Sequence, residues 1–294
     1  MSGYRRRFQQ VDVFAPRAGA GNPLAIVVDA DGLDDAQMQA IAAWTNLAET
    51  TFLFPPTVAD AHYRVRIFTT TTEIAFAGHP SLGSAHAALA TGLPMPRDGM
   101  LMQQCQAGLL PVRVSPVAGG EQLSVRVPRS RIVRHLWIED AALHQALAGC
   151  ARGELAPALV EGGRRWWLAE LADEEQVRRL RPDTVAIQHL AQQTQSLGLC
   201  VFARCTGRPY QLVVRAFPLG VGINEDPASG AANAAIAAFL DESDALHGLG
   251  NAYLVSQGRD LGRDAELFLQ IDADRQVWVG GRCETVIAGS MDFG

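Results

Sequence analysis

Apolar and polar side chains alternate through Tyr63-Arg64-Val65-Arg66-Ile67, a period of two that predicts a strand running on to Phe68. A different spacing governs the stretch from Asp34 to Thr45, where Met38, Ile41, Ala42 and Thr45 fall on one helical face behind an Asp34-Asp35 cap. That stretch reads as an amphipathic surface helix. Val11–Phe14 and Leu24–Val28 read as strands joined through the Gly19-Ala20-Gly21-Asn22-Pro23 turn, and Thr50–Phe54 as another. Two segments obey neither period. From Pro80 to Ala90 and from Pro227 to Leu240 there is no Asp, Glu, Lys or Arg, which predicts two helices without a solvated face.

Beyond the first of these helices, Leu109–Val114 and Leu123–Val127 read as strands, with a domain boundary in Pro116–Gly120. The second half then predicts helices over 136–147 and 173–180, a strand at 166–168 and strands over 199–204 and 211–217. After the second uncharged helix come strands over 253–257, 265–271 and 276–280. The residues repeat as well as the order. Gly78-His79-Pro80-Ser81-Leu82-Gly83 returns, altered, as Glu225-Asp226-Pro227-Ala228-Ser229-Gly230, with His79 and Asp226 separated by 147 positions (226 minus 79) in a chain of 294. Phe68 and Phe217 precede the two copies at similar distances. The pattern implies duplication and fusion. The expected architecture is α+β in two pseudo-symmetric domains, residues 1–117 completed by about 275–294, and residues 118–274, each a curved sheet around one uncharged helix.

In both copies a titratable residue precedes Pro, the arrangement expected where Pro takes the first position of a helix. His79 and Asp226 are therefore expected at helix N-termini. If the two starts converge, their unpaired N–H groups and positive dipole ends suit a carboxylate or another anion.

Composition narrows the partners. The chain is 48% hydrophobic and 19% charged, as a globular protein with ample core is, and its net charge of −6 disfavours nucleic acid and anionic membrane surfaces. The basic run Arg5-Arg6-Arg7 reads as a solvated strand edge. No secretory leader and no membrane span are legible, so a cytoplasmic location is expected. Five cysteines without a Cys-x-x-Cys pair fit reduced thiols, and the seven histidines lack metal-ligand spacing. No phosphate-cradling motif appears, so no cofactor and no metal are expected.

Three residues are candidates for proton transfer. Glu49, between a helix and a largely apolar strand, can exchange a proton near neutral pH if partly buried, or can simply bond nearby backbone N–H groups. His79 and Asp226 carry either proton-transfer or helix-capping duties. Asn22 either stabilises its turn or presents its amide to a ligand. Glu73 and Glu225 read as solvated or structural, and Trp166-Trp167 as core or interface. Ser81, Ser84 and Ser229 lie outside any Gly-x-Ser-x-Gly elbow, which disfavours a serine hydrolase.

Taken together, Val11-Asp12-Val13-Phe14, Gly21-Asn22-Pro23-Leu24-Ala25, Leu47-Ala48-Glu49-Thr50-Thr51-Phe52, Arg66-Ile67-Phe68-Thr69, Ala77-Gly78-His79-Pro80 and Glu225-Asp226-Pro227-Ala228-Ser229-Gly230 resemble the phenazine biosynthesis PhzF-like family. Gln257-Gly258 and Gly280-Gly281 extend the likeness. The resemblance implies the diaminopimelate epimerase fold, two β-barrels each around a central helix, with the site between them. It also implies a homodimer and a cofactor-independent isomerase that moves a proton within a small carboxylate. In the best-known member that substrate is trans-2,3-dihydro-3-hydroxyanthranilate. Glu49 matches the principal acid/base, His79 and Asp226 the assisting groups, and the backbone N–H groups around Gly78, Gly230 and Ala231 the carboxylate cradle. Two positions depart from the pattern. Ala231 replaces a hydroxyl residue after the glycine, and Ala48 replaces the usual Ser before the glutamate. Two other readings compete: an epimerase or racemase using two bases, which could not be thiols because neither position 79 nor 226 is Cys, and a non-catalytic carboxylate binder.

Overall fold

The protein is described by a computed structural model over residues 5–92, 96–136 and 140–293. The sequence reading of the N-terminal residues 1–4, and of positions 137–139 within the helix expected over 136–147, falls outside the described residues. The chain divides into two compact units, one up to Arg126 together with the segment from Gly280 onward, the other Val127–Val279.

Unit 1 contains β1 (Arg5–Val13), β2 (Asn22–Val27), α1 (Asp35–Thr45), β3 (Glu49–Phe54), β4 (Tyr63–Thr69), a short β5 (Glu73–Ile74), α2 (Gly78–Ala90), β6 (Met100–Cys105), β7 (Gly108–Val117), β8 (Gly120–Arg126) and the C-terminal strand Cys283–Asp292. The C-terminal strand pairs antiparallel with β1, and β1 with β2. β2 then runs parallel to β3, β3 antiparallel to β4, and β4 parallel to β6. Antiparallel β6–β7 and β7–β8 pairs complete the sheet. It curves around α2, which packs against every one of these strands except the short β5. Close approach needs a small residue: a Cβ on Gly83 would stand 2.5 Å from Leu24 Cδ2 and 3.0 Å from Val13 Cγ2. Met38, Ile41 and Ala42 of α1 cover the other side of the sheet, against Phe52, Phe54 and Phe68. The left-handed C-cap Asn46 turns the chain from α1 toward β3.

Unit 2 contains β9 (Arg131–His135), α3 (Ala141–Ala146), β10 (Ala158–Glu161), β11 (Arg165–Glu170), α4 (Glu174–Arg179), α5 (Thr184–Thr194), β12 (Leu199–Arg204), β13 (Leu212–Phe217), α6 (Gly230–Glu242), β14 (Ala252–Gln257) and β15 (Ala265–Ile271); β16 (Val277–Gly281) leads out of it. From β10 the pairings run antiparallel to β11, parallel to β12, antiparallel to β13, parallel to β14 and antiparallel to β15. This is the order that runs from β1 through β2, β3, β4 and β6 to β7. The uncharged part of α6 is almost wholly buried and packs on β9, β10, β11 and β15. Trp166 and Trp167 are core residues, and α3, α4 and α5 seal the outer side through Leu143, Val177, Ile187 and Leu190.

Several expectations change. β1 begins at Arg5, and Arg6 is buried rather than solvated, donating to the Asp29 and Asp31 carbonyls at 2.6 and 2.8 Å. Residues 116–120 form the turn of the β7–β8 hairpin inside unit 1, and the passage to unit 2 follows Arg126. No described helix is long and apolar enough to cross a membrane.

Candidate active site

The candidate residues fall into two groups, one in each unit. Glu49 is the first residue of β3, opposite Thr69 of β4, and His79 is the second residue of α2. His79 Nε2 stands 3.4 Å from Glu49 Oε2, with the side chains 9% and 18% exposed. Burial pushes the imidazole down to about 3, so His79 is neutral at physiological pH. A neutral imidazole can meet either protonation state of a carboxyl group, whereas an imidazolium would hold its neighbour ionised.

The helix that carries His79 opens at Gly78, two residues ahead of Pro80, so the expected Pro-first start is corrected. Its N-cap Ala77 has no side chain with which to cap, and nothing lies within 4 Å of where a Gly78 Cβ would be. The helix thus starts with no side-chain cap and with open space beside the Gly78 backbone. Two hydroxyls anchor the first two turns of the helix. Ser81 Oγ donates to the Ala77 carbonyl at 2.9 Å and Ser84 Oγ to Thr51 Oγ1 of β3 at 3.0 Å. Asn22 is buried at the start of the neighbouring β2, opposite Val13. Gly21 ahead of it has φ 71°, and a Cβ there would collide with the Val13 carbonyl.

In unit 2, Asp226 does not begin the helix. Its N–H donates to the Ala216 carbonyl of β13 at 2.9 Å, and Ser229 is the N-cap of α6, accepting from the Ala232 N–H at 3.3 Å. The physical reason is the better cap: the Ser229 hydroxyl takes the third N–H of the helix, leaving Asp226 to make a local turn in which Oδ1 accepts from Ala228 N–H at 3.1 Å. Gly230, buried, and Ala231, exposed, supply the first two N–H groups of α6. Burial pushes the Asp226 carboxyl above the ordinary range, the Ala228 N–H and Ser229 hydroxyl oppose this, and Glu225 adds to it.

The two carboxylates read as solvated or structural prove to be structural. Glu225 grips Arg215 of β13 through two 2.8 Å hydrogen bonds, and the guanidinium lies over Phe217. In unit 1 Glu73 grips Arg66 of β4 at 2.7 and 2.6 Å, over Phe68. Each clamp ties the segment entering the helix to the strand before it.

The repeated pairing also exposes a difference. Phe68 stands opposite Thr50 and Phe217 opposite Leu199, so Gly198 occupies in unit 2 the place that Glu49 holds in unit 1. Gly198 has φ 147° and a Cβ there would collide with the Phe217 carbonyl, so the position admits no side chain. Gln103 and Gln257, both fully buried, were not singled out by their residue type; a polar residue within a strand ordinarily reads as outward-facing.

Comparison with known proteins identifies the chain's relatives. The phenazine biosynthesis-like protein family model matches residues 11–289. The chain belongs to this family. Antisense-enhancing sequence 1 of Schizosaccharomyces pombe is 31% identical, over 96% of this chain and 97% of its own. The trans-2,3-dihydro-3-hydroxyanthranilate isomerase of Pseudomonas fluorescens is 30% identical over 89% of both chains. A PhzF-family phenazine biosynthesis protein of Bacillus anthracis superposes with a TM-score of 0.81, covering 98% of this chain and 99% of its own, at 20% identity. This member of the phenazine biosynthesis-like family has the PhzF fold and is an enzyme of the isomerase class.

Its buried His79 makes stability depend on pH. The unfolded imidazole takes up a proton near 6.5 and the folded one only near 3, so the unfolded state binds more protons between those values and stability rises with pH across that window. Acidification from pH 7 to 5 is expected to remove on the order of 2 kcal/mol through this residue. Urea unfolding of wild type and His79→Gln at both pH values checks it. An equal acid loss in the variant would refute the assignment to His79.

Proposed function

We propose that the protein is a cofactor-independent isomerase in which Glu49 shuttles a proton between two carbons of a small, possibly cyclic carboxylate. The observation that carries this reading is the Glu49–His79 pair, a partly buried carboxylate 3.4 Å from a neutral imidazole on an uncapped helix start. In the forward step the Glu49 carboxylate takes a proton from carbon, giving a carboxylic acid and an electron pair delocalised into the substrate. In the second step that acid returns the proton to a different carbon, restoring the carboxylate with no net change in atoms or charge. The neutral His79 imidazole stays beside Glu49, 3.4 Å away, through the cycle. Beside this pair the Gly78 N–H and the Asn22 amide are the groups of unit 1 suited to a carboxylate; Asp226, whose carboxyl burial pushes up, and the N–H groups of Gly230 and Ala231 are the corresponding groups of unit 2.

The first substrate to try is trans-2,3-dihydro-3-hydroxyanthranilate, on which the 30% identical Pseudomonas relative acts by name. Ala231 and Ala48, beside Gly230 and Glu49 in sequence, lack the hydroxyls of the family pattern, which favours a substrate without the matching polar group. The experiment is proton NMR of purified protein with this compound in D2O. Isomerisation with deuterium incorporated at carbon is the expected result. No exchange with this compound or with a panel of related cyclic and acyclic carboxylates would favour the binder over the isomerase.

A further inference from the structure

The last residue of β14 is Gln257, fully buried at a place where an apolar side chain would pack without a polar group to satisfy. The hydrogen bonds of its amide go to the Asp226 turn and to the start of α6. Nε2 donates to the Asp226 carbonyl at 2.9 Å, and Oε1 accepts from the Ser229 N–H at 3.2 Å and from Asn233 Nδ2 at 2.8 Å. Asn233 Nδ2 in turn donates to the Ser229 carbonyl at 2.9 Å. A second observation concerns the next residue. Gly258 has φ 86°, and a Cβ there would collide with the Pro227 carbonyl, so Pro227 rests directly on the glycine backbone. Gln257 and Gly258 thus touch residues 226, 227 and 229 and shape the turn between them. Unit 1 contains the same device: Gln103 of β6, also fully buried, donates to Ser81 Oγ at 3.0 Å in the first turn of α2 and accepts from Tyr63 O–H at 3.2 Å.

We propose that Gln257 is a positioning residue that, together with Gly258, holds the Asp226 carboxyl in its working orientation. The catalytic part of this inference rests on the reading of Asp226 given above. Two bonds of Gln257 join the Ser229 cap and Asn233 at the start of α6, and the third ties the Asp226 carbonyl to that start, so the amide fixes the turn relative to the helix it precedes. When the turn relaxes, the bond from Ala228 N–H to Oδ1 is lost. That bond favours the ionised carboxylate, so its loss raises the Asp226 titration point. The titratable neighbours of Asp226 in unit 2 are Glu225, on the same turn and engaged by Arg215, and the buried Cys200 of β12.

The test uses full-length Gln257→Met and Gln257→Glu, with carboxyl-labelled aspartate NMR assigned by Asp226→Asn, and amide exchange at Ala228 and Ser229. The expected result for the Met variant is an Asp226 midpoint about half a unit or more higher and exchange at Ser229 at least about tenfold faster. Its kcat is expected to fall about 10–100-fold with KM within about threefold. A folded Met variant with wild-type titration and exchange overturns the proposal. Should the Met variant not fold, the Glu variant decides: a protonated Glu keeps a donor and an acceptor, so it matches wild type in acid and departs as it ionises. Wild-type behaviour at every pH would overturn the proposal. Full turnover by Asp226→Asn, by contrast, would refute the catalytic role of Asp226 and leave the titration result to judge the positioning alone.

Discussion

Glu49→Gln is expected to slow proton exchange at the substrate carbon by about 10²–10⁴-fold, the usual contribution of a positioned general acid/base. The amide has nearly the shape of the carboxyl group, and Glu49 lies partly exposed at the start of β3, so the melting temperature should move by only a few degrees. Substrate binding should persist if the proposed backbone donors at the start of α2 carry it, because they are untouched. Glu49→Asp separates chemistry from reach. It keeps the carboxylate but withdraws it by one methylene, and a displacement of about 1 Å costs on the order of 10²-fold. Measured rates by deuterium incorporation that remain within a fewfold of wild type for Glu49→Gln would remove Glu49 from the mechanism and leave Asp226 as the carboxylate to examine.

Glu225→Gln should destabilise the protein by about 1.5–3 kcal/mol, because it removes the nearest carboxylate from the buried Arg215 guanidinium and leaves Asp260, at 3.7 Å, as its ion partner. The lost partner is only part of the cost; Arg215 also donates to the Leu180 carbonyl at 2.8 Å and cannot withdraw to solvent without breaking that bond. Glu73→Gln is expected to cost no more than about 1 kcal/mol, since the matching Arg66–Glu73 clamp is about a quarter exposed and Arg66 keeps its bond to Asp35. Replacing Arg215 and Glu225 together by apolar residues should recover most of the loss. Urea unfolding of the four proteins checks the series. Equal effects at the two clamps would mean that burial does not set the difference.

The arrangement of the fold was legible where one rule governed a whole segment. The absence of charge from 80–90 and 227–240 identified both central helices because a helix with no solvated face has nowhere to go but inside. The C-terminal strand escaped notice because Thr285 to Ser290 are exposed on both faces and show no alternation. α5 went unread although Asp183 caps it and Ala186, Ile187, Leu190 and Ala191 line one side; its remaining Gln, His and Thr residues mask the stripe. At the site, Glu49 and His79 could be named from sequence, but their 3.4 Å approach depends on tertiary packing of α2 against β3. The start of α6 was misplaced because Pro227 and Ser229 are both good start signals, and only the hydrogen bond to Ala232 decides between them. Gln103 was beyond reach and Gln257 was marked only through the family likeness, since nothing local distinguishes an inward-facing amide from a solvated one.

The glycine that stands where a second Glu49 would be has a stereochemical consequence. On the proposed reading, with one carboxyl group doing both removal and return, the substrate is deprotonated and the planar intermediate reprotonated on a single face, and the proton in transit is the substrate's own until it exchanges with water. A deuteron placed at the donor carbon should therefore reappear in part at the acceptor carbon in H2O, always on the same face. An enzyme with bases on both sides would invert the centre and lose the label.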